Sequence, residues 1–113
     1  MAPESIDDLL AGYREGANGT SSSDPKVANK WQRRMHGFYK KLRETEEGKA
    51  AIVSLLDDPS PHVRCWAGAH CLQWNTPAAM RTLEALRDGK GSCSFTAEIT
   101  LREFDRGRLS FDY

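Results

Sequence analysis

The sequence predicts an all-α fold of about six helices in antiparallel hairpins, and three observations support it. Apolar residues recur at spacings of three and four, which is the period of an amphipathic helix. Clean alternation of apolar and polar residues, which would indicate a strand, is absent. Finally, Asp24-Pro25, Ser60-Pro61 and Thr76-Pro77 each place a capping residue before a proline. Proline suits the first helical position, where its missing N–H has no helical partner to lose.

The first predicted helix covers residues 5–17. Ser5 and Asp8 form a variant of the capping box, in which a hydroxyl accepts a hydrogen bond from the backbone three residues later. The polar segment 18–23 follows as a flexible loop.

The second predicted helix begins at Asp24 and extends as far as Glu46, with Gly48 ending the segment. Gly37 lies inside it and costs about 1 kcal/mol relative to alanine, so we expect a weak point or a close helix contact there. Its apolar positions, which we expect in the core, are Val27, Trp31, Met35, Phe38, Tyr39 and Leu42.

Four further helices are predicted over 49–57, 61–74, 77–88 and 95–105. The helix over 61–74, the fourth of the chain, carries two apolar arcs, so we expect it to be central. We expect His70, within this helix, to be a core histidine bonded to a backbone carbonyl. The fifth ends at Gly89. Ser94 caps the sixth, whose apolar residues are Phe95, Ile99, Leu101 and Phe104. Whether the aromatic tail docks is left open by the sequence.

Length and composition indicate one domain without a cofactor. The chain has 113 residues, a formal net charge of zero and three cysteines, too few for a disulfide framework. No apolar run approaches the roughly 18 residues that a membrane span needs. The N-terminus lacks the basic and apolar regions of a secretory signal. We therefore expect a cytoplasmic protein, a monomer or weak homodimer, with no membrane association.

Part of the chain resembles a HEAT repeat, in which two antiparallel helices are joined by a short turn. The residues that carry the resemblance are Leu55-Leu56-Asp57-Asp58-Pro59, Val63-Arg64, Ala67 and Leu72. The leucines would pack on the valine, alanine and leucine of the next helix. The aspartate would cap the turn, and the arginine would reach back to it. The resemblance implies N-terminal capping helices over 1–47, two HEAT-like hairpins over 48–105 and a tail over 106–113.

The wider pattern, over about residues 5–109, resembles a bacterial family of small HEAT-like helical proteins, the domain of unknown function twenty-nineteen. Its most specific stretches are 63–70 and 97–104. The resemblance implies a fold but no established activity, and it supplies no catalytic residues.

Charge is strongly segregated along the chain. Residues 25–43 carry seven basic and no acidic side chains, whereas 1–24 and 44–59 each carry five acidic and one basic. Such a helix binds an acidic protein partner or a phosphate backbone, or it is simply a solvated face balanced by its acidic flanks.

Catalytic and metal-binding patterns are weak. His62 and Cys65 are three residues apart, but no complete metal-binding spacing is present. Cys93, in a Gly-Ser loop, is predicted to be the most exposed thiol, without a histidine nearby in sequence. We therefore expect neither an enzyme nor a metal or cofactor site.

The sequence thus favours a non-enzymatic protein-binding module, such as a bacterial adaptor or an immunity protein that occludes a toxin domain. The alternative is a nucleic-acid-binding module that uses the basic helix 25–43. The candidate partner-binding residues are Lys30, Arg33, Arg34, Lys40, Lys41, His62 and Trp74.

Overall fold

The computed structural model describes residues 5–113, which contain six α-helices and no strand. The all-α, six-helix prediction is therefore confirmed. The first four residues, on which part of the signal-peptide interpretation depends, lie outside the described residues. The helices are α1 (Ile6–Gly19), α2 (Pro25–Leu42), α3 (Glu46–Ser54), α4 (Pro61–Cys71), α5 (Thr76–Asp88) and α6 (Ser94–Asp105), with a 3-10 turn at Leu55–Asp57.

The chain forms two compact units that meet in sequence between Ser54 and Leu55. The first contains α1, α2 and α3, and the second contains the 3-10 turn, α4, α5, α6 and the tail. The first predicted HEAT hairpin draws one helix from each unit. The HEAT-repeat assignment stays a prediction. So does the interpretation of the chain as one domain with the segments 1–47, 48–105 and 106–113.

Three glycines bring α1 close to α2. A Cβ added at Gly16 would lie 2.7 Å from the Cβ of Met35 and 3.0 Å from its backbone N and Cα. The helices run antiparallel, because later positions of α1 face earlier positions of α2. The facing pairs are Gly12 with Phe38, Gly16 with Met35, and Gly19 with Trp31. Gly19 also explains why α1 runs two residues past its predicted end, since the last turn packs on an indole.

Gly37 does not make the close helix contact that we expected as one possibility. No atom lies within 4 Å of a Cβ added at this position, and α2 is continuous through it. The glycine therefore faces open space, and the close contacts are made by glycines of the partner helix instead.

The junction between α2 and α3 differs from the prediction. The helix α2 ends at Leu42, and α3 begins at Glu46 because the hydroxyl of Thr45 accepts a hydrogen bond from the Gly48 N–H at 3.0 Å. Gly48 therefore lies inside a helix and does not end one. It is buried against the backbone of Leu42, which leaves no room for a side chain.

In the second unit, α4 packs against the 3-10 turn, α5 and α6, which confirms its predicted central place. The side chain of Asp58 accepts from the Ser60 N–H at 3.0 Å, and the hydroxyl of Ser60 caps α4 by accepting from Val63 N–H at 3.5 Å. Arg64 donates to the backbone carbonyls of Asp58 at 2.7 Å and Pro59 at 3.2 Å. The predicted structural role of Arg64 is thereby confirmed.

Two predicted caps are wrong. Thr76 lies within α5, and its hydroxyl donates to the Leu72 carbonyl at 2.7 Å instead of capping the helix. Ser94 lies within α6 and donates to the Arg87 carbonyl at 2.6 Å, so Cys93 occupies the cap position. In both cases a carbonyl at the end of the preceding helix competes for the hydroxyl.

Two predicted core residues of α6 are at the surface: Phe95 is 68% exposed and Ile99 is 36% exposed. The helix buries Ala97 and Thr100 instead. Val27 of α2, also predicted as core, is likewise exposed.

The aromatic tail docks within the second unit. Phe111 is buried, and its ring packs edge-on against His70 with 4.5 Å between ring centroids. His70 is itself fully buried, as predicted. Gly107 adopts a φ of +70°, a left-handed conformation that suits glycine and turns the chain after α6.

Replacing Gly16 with alanine should destabilise the protein by about 2 kcal/mol, because the added methyl group meets the backbone of Met35. Gly37→Ala is the matched control. It faces open space on a continuous helix and should stabilise the protein by about 0.5–1 kcal/mol. Chemical denaturation followed by circular dichroism measures both, and equal effects of one sign would contradict the glycine contact.

Phe111→Ala should lower the free energy of unfolding by about 3 kcal/mol, because it removes a buried ring. Tyr113→Ala removes an aromatic ring two residues away that is 64% exposed, and it should change stability by no more than about 0.5 kcal/mol. The same denaturation experiment compares them. A tail that does not dock would give two equally small effects.

Candidate binding groove on α2

A groove with a volume of about 380 Å³ lies between α1 and α2 in the first unit. Its walls come from one turn of α1 and three turns of α2, and we call it the basic groove. Its lining residues are Gly12, Glu15, Trp31, Arg33, Arg34, Gly37, Phe38 and Lys41.

Two aromatic rings form the apolar part of the basic groove. Trp31 and Phe38 are half-buried, so each presents part of its ring to the groove. The sequence places them in the core stripe of α2, which is only partly correct. Gly19 packs against Trp31 and Gly12 against Phe38, and these contacts fix both rings from the α1 side.

Three cations surround these rings. Arg33, Arg34 and Lys41 are exposed, and the guanidinium carbon of Arg34 lies 5.1 Å from the centroid of the Trp31 ring, within cation–π range. Among residues 5–113, no ion pair joins Arg33 or Arg34 to an acidic side chain. Glu15 is the one acidic residue in the lining, so the groove carries an excess of positive charge.

The structure brings together three of the seven candidate residues. Arg33, Arg34 and Lys41 line the basic groove, whereas Lys30 and Lys40 lie on α2 outside its lining. Lys40 is half-buried, so it differs from the solvent-facing position expected for it.

The other two candidates belong to the second unit. Trp74 is half-buried just beyond α4, as expected for a partly exposed aromatic residue. His62 lies in the first turn of α4 and contacts a cysteine of the same unit. Neither forms part of the basic groove.

A second groove, of about 360 Å³, lies between α5 and α6 and has a different electrostatic character. Its charged residues are Glu84, Arg87, Glu98, Arg102 and Asp105. Arg102 pairs with Glu98 at 3.2 Å, and Arg87 pairs with the neighbouring Asp88 at 2.9 Å. The hydrogen bond from Arg87 lowers the pKa of Asp88. Three acidic and two basic side chains line this groove and both arginines are paired, so it lacks the positive excess of the basic groove.

The cysteines are less accessible than the sequence suggests. Cys93 is the most exposed of the three thiols, as predicted, but at only 6% exposure it is still buried. Its Sγ lies 3.4 Å from Nδ1 of His62, a histidine 31 residues earlier that the fold brings beside it. Burial raises the pKa of Cys71 to about 12, which disfavours its thiolate form. Within residues 5–113, no three His, Cys, Asp or Glu side chains are grouped to hold a metal ion.

The basic groove as such was not predicted, because it depends on residues without side chains. Glycines at positions 12, 16 and 19 of α1 follow helical spacing, and this pattern is the sequence signal that could have indicated a close helix pair. Gly37 of α2 has no side chain to fill the middle of the groove, which therefore stays open.

Comparison with known proteins gives no match to a protein-family model, a curated protein or a solved structure. The resemblance to the HEAT-like bacterial family therefore stays a prediction. Over residues 5–113, none of the helices has the length and apolar character needed to cross a membrane.

Proposed function

We propose that this protein is a non-enzymatic binding module that holds an acidic segment of a partner protein in the basic groove. The observation that carries the proposal is the combination, in one groove, of half-buried aromatic rings and exposed cations. An adaptor or an inhibitor would act in this way, including an immunity protein that occludes a toxin domain.

Charge supports an acidic partner. Arg33 and Arg34 hold planar guanidinium groups that can bind a carboxylate through two parallel hydrogen bonds. Lys41 adds a third positive charge two turns further along α2. Carboxylates bound here would meet cations without first having to break an ion pair of Arg33 or Arg34.

The size and apolar surface of the groove support a short protein segment. A volume of about 380 Å³ is at the lower end of the range of about 300–1,000 Å³ for ligand sites. Trp31 and Phe38 offer ring surface to a large apolar side chain flanked by acidic residues. Aromatic and arginine residues are also the types that contribute most to protein interfaces.

The groove is also preformed. The rings are held by Gly12 and Gly19, and the guanidinium of Arg34 is held over Trp31. A rigid site loses less conformational entropy when it binds, so more of the contact energy remains as affinity.

Nucleic acid is a poorer match to the same groove. Single-stranded nucleic acid is held by bases that stack on exposed aromatic rings. Trp31 and Phe38 are half-buried in a groove, so they offer a pocket for one side chain but no open platform for successive bases. The chain has no net positive charge, and Glu15 would repel phosphates.

The proposal predicts binding of a defined probe, a fluorescent Glu-Glu-Trp-Glu-Glu peptide, measured by anisotropy. Gly37→Leu fills the groove without altering a charge, and Arg33→Glu with Arg34→Glu reverses its rim. Each change should weaken binding by about tenfold or more. Losing a close charge pair, or losing the pocket for the tryptophan, should cost at least about 1.4 kcal/mol of binding free energy, which corresponds to a factor of ten.

Lys26→Glu with Lys30→Glu is the matched control, since it also reverses two positive charges on the same helix but outside the groove. It should change affinity by no more than about twofold. Probes in which glutamine replaces glutamate, or alanine replaces tryptophan, should bind weakly. Equal binding by all variants would contradict the proposal. A single-stranded oligonucleotide that binds more tightly, with a steep salt dependence, would favour the nucleic-acid alternative.

A further inference from the structure

Two cysteines and a histidine meet in the second unit. His62 and Cys65 are three residues apart on α4, so they share one face of that helix. Cys93 occupies the cap position of α6, and its Sγ lies 3.4 Å from Nδ1 of His62. Cys65 and Cys93 are near enough that Cys93 contributes to raising the pKa of Cys65.

We propose that this cluster is a redox site at which a peroxide oxidises Cys93, and Cys65 then closes an intramolecular disulfide with it. His62 is a positioning residue that accepts the proton of Cys93 as the sulfur reacts. The disulfide would join α4 to the start of α6. The proposal is independent of the basic groove, because the two sites share no residue.

The surroundings distinguish the roles of the two thiols. Cys93 has a ring nitrogen within hydrogen-bond distance that can accept its proton, and it directly precedes the first residue of α6. Burial and the neighbouring Cys93 raise the pKa of Cys65 to about 12. Cys65 therefore stays protonated until a sulfenic acid forms on the neighbouring Cys93. Cys65 then acts as the resolving thiol.

Cys93 borders an exposed loop. The residue itself is only 6% exposed, whereas the preceding Gly91 and Ser92 are exposed. Nothing lies within 4 Å of a Cβ added at Gly91. A small oxidant would approach the thiol from this loop.

The chemistry balances as a two-electron oxidation. The Cys93 thiol gives its proton to His62, and the thiolate attacks a peroxide oxygen. A sulfur–oxygen bond forms, the oxygen–oxygen bond breaks, and the leaving oxygen takes the proton to give an alcohol, or water from hydrogen peroxide. Cys65 then attacks the sulfenic acid. A sulfur–sulfur bond forms, the sulfur–oxygen bond breaks, and the hydroxyl leaves as water with the Cys65 proton.

The test treats the full chain with hydrogen peroxide and maps its peptides by mass spectrometry. Wild-type protein should lose about 2 Da and yield a Cys65–Cys93 linked peptide that dithiothreitol reverses. Cys71→Ser is the matched control, because Cys71 lies buried on the same helix, and this variant should form the same link.

Variants of the cluster separate the three roles. Cys65→Ser should halt the reaction at a sulfenic acid on Cys93, which dimedone traps, and Cys93→Ser should abolish the reaction. His62→Gln should slow thiol loss by about tenfold or more, since the proton acceptor is removed. Circular dichroism of each variant checks that it folds.

Three outcomes would overturn the proposal. The first is over-oxidation of Cys93 in wild-type protein with Cys65 left reduced. The second is a link that involves Cys71 or a second chain. The third is an unchanged rate of thiol loss in a folded His62→Gln variant.

Discussion

The close approach of α1 to α2 is the contact on which the rest of the first unit depends. It is possible because three successive turns of α1 present no side chain to the facing helix, and each glycine receives a large residue of α2. This packing also determines which side chains of α2 are exposed. The rings of Trp31 and Phe38 are held only half-buried, and the cations on the same helix stand beside them. The basic groove is therefore a by-product of helix packing, and its shape is as rigid as that contact.

The second unit is arranged around α4 by the same physical means. Gly68 of α4 receives Leu83 of α5, so that these helices also pack closely. Phe111 closes one side by packing on His70, which makes the tail a structural part of the unit. The cysteine–histidine cluster arises where α4 meets the start of α6. Cys93 lies 31 residues after His62 in sequence, so the cluster exists only when the unit is folded.

The sequence predicts well what is decided locally. Helix number, the central place of α4, and the caps Ser5, Asp24 and Ser60 follow from periodicity and from hydrogen bonds that span two or three residues. It predicts poorly what depends on tertiary contacts. The hydroxyl of Thr76 can accept from a backbone N–H as a cap or donate to the carbonyl of Leu72, and local pattern cannot choose between them. The pairing of His62 with Cys93 and the open face of Gly37 depend on which helices meet, and the sequence pattern does not specify this.

The central claim is that the basic groove is where a partner binds, and two-dimensional NMR tests it at residue level. Amide and indole resonances of labelled protein would be followed while the acidic, tryptophan-containing peptide is added. The account predicts that the shifts concentrate on Gly12, Gly37, the Trp31 indole and the side chains of Arg33 and Arg34, and that they saturate with one affinity. Shifts centred instead on the exposed Phe95 and Ile99 face of α6, or no saturable shifts, would contradict it.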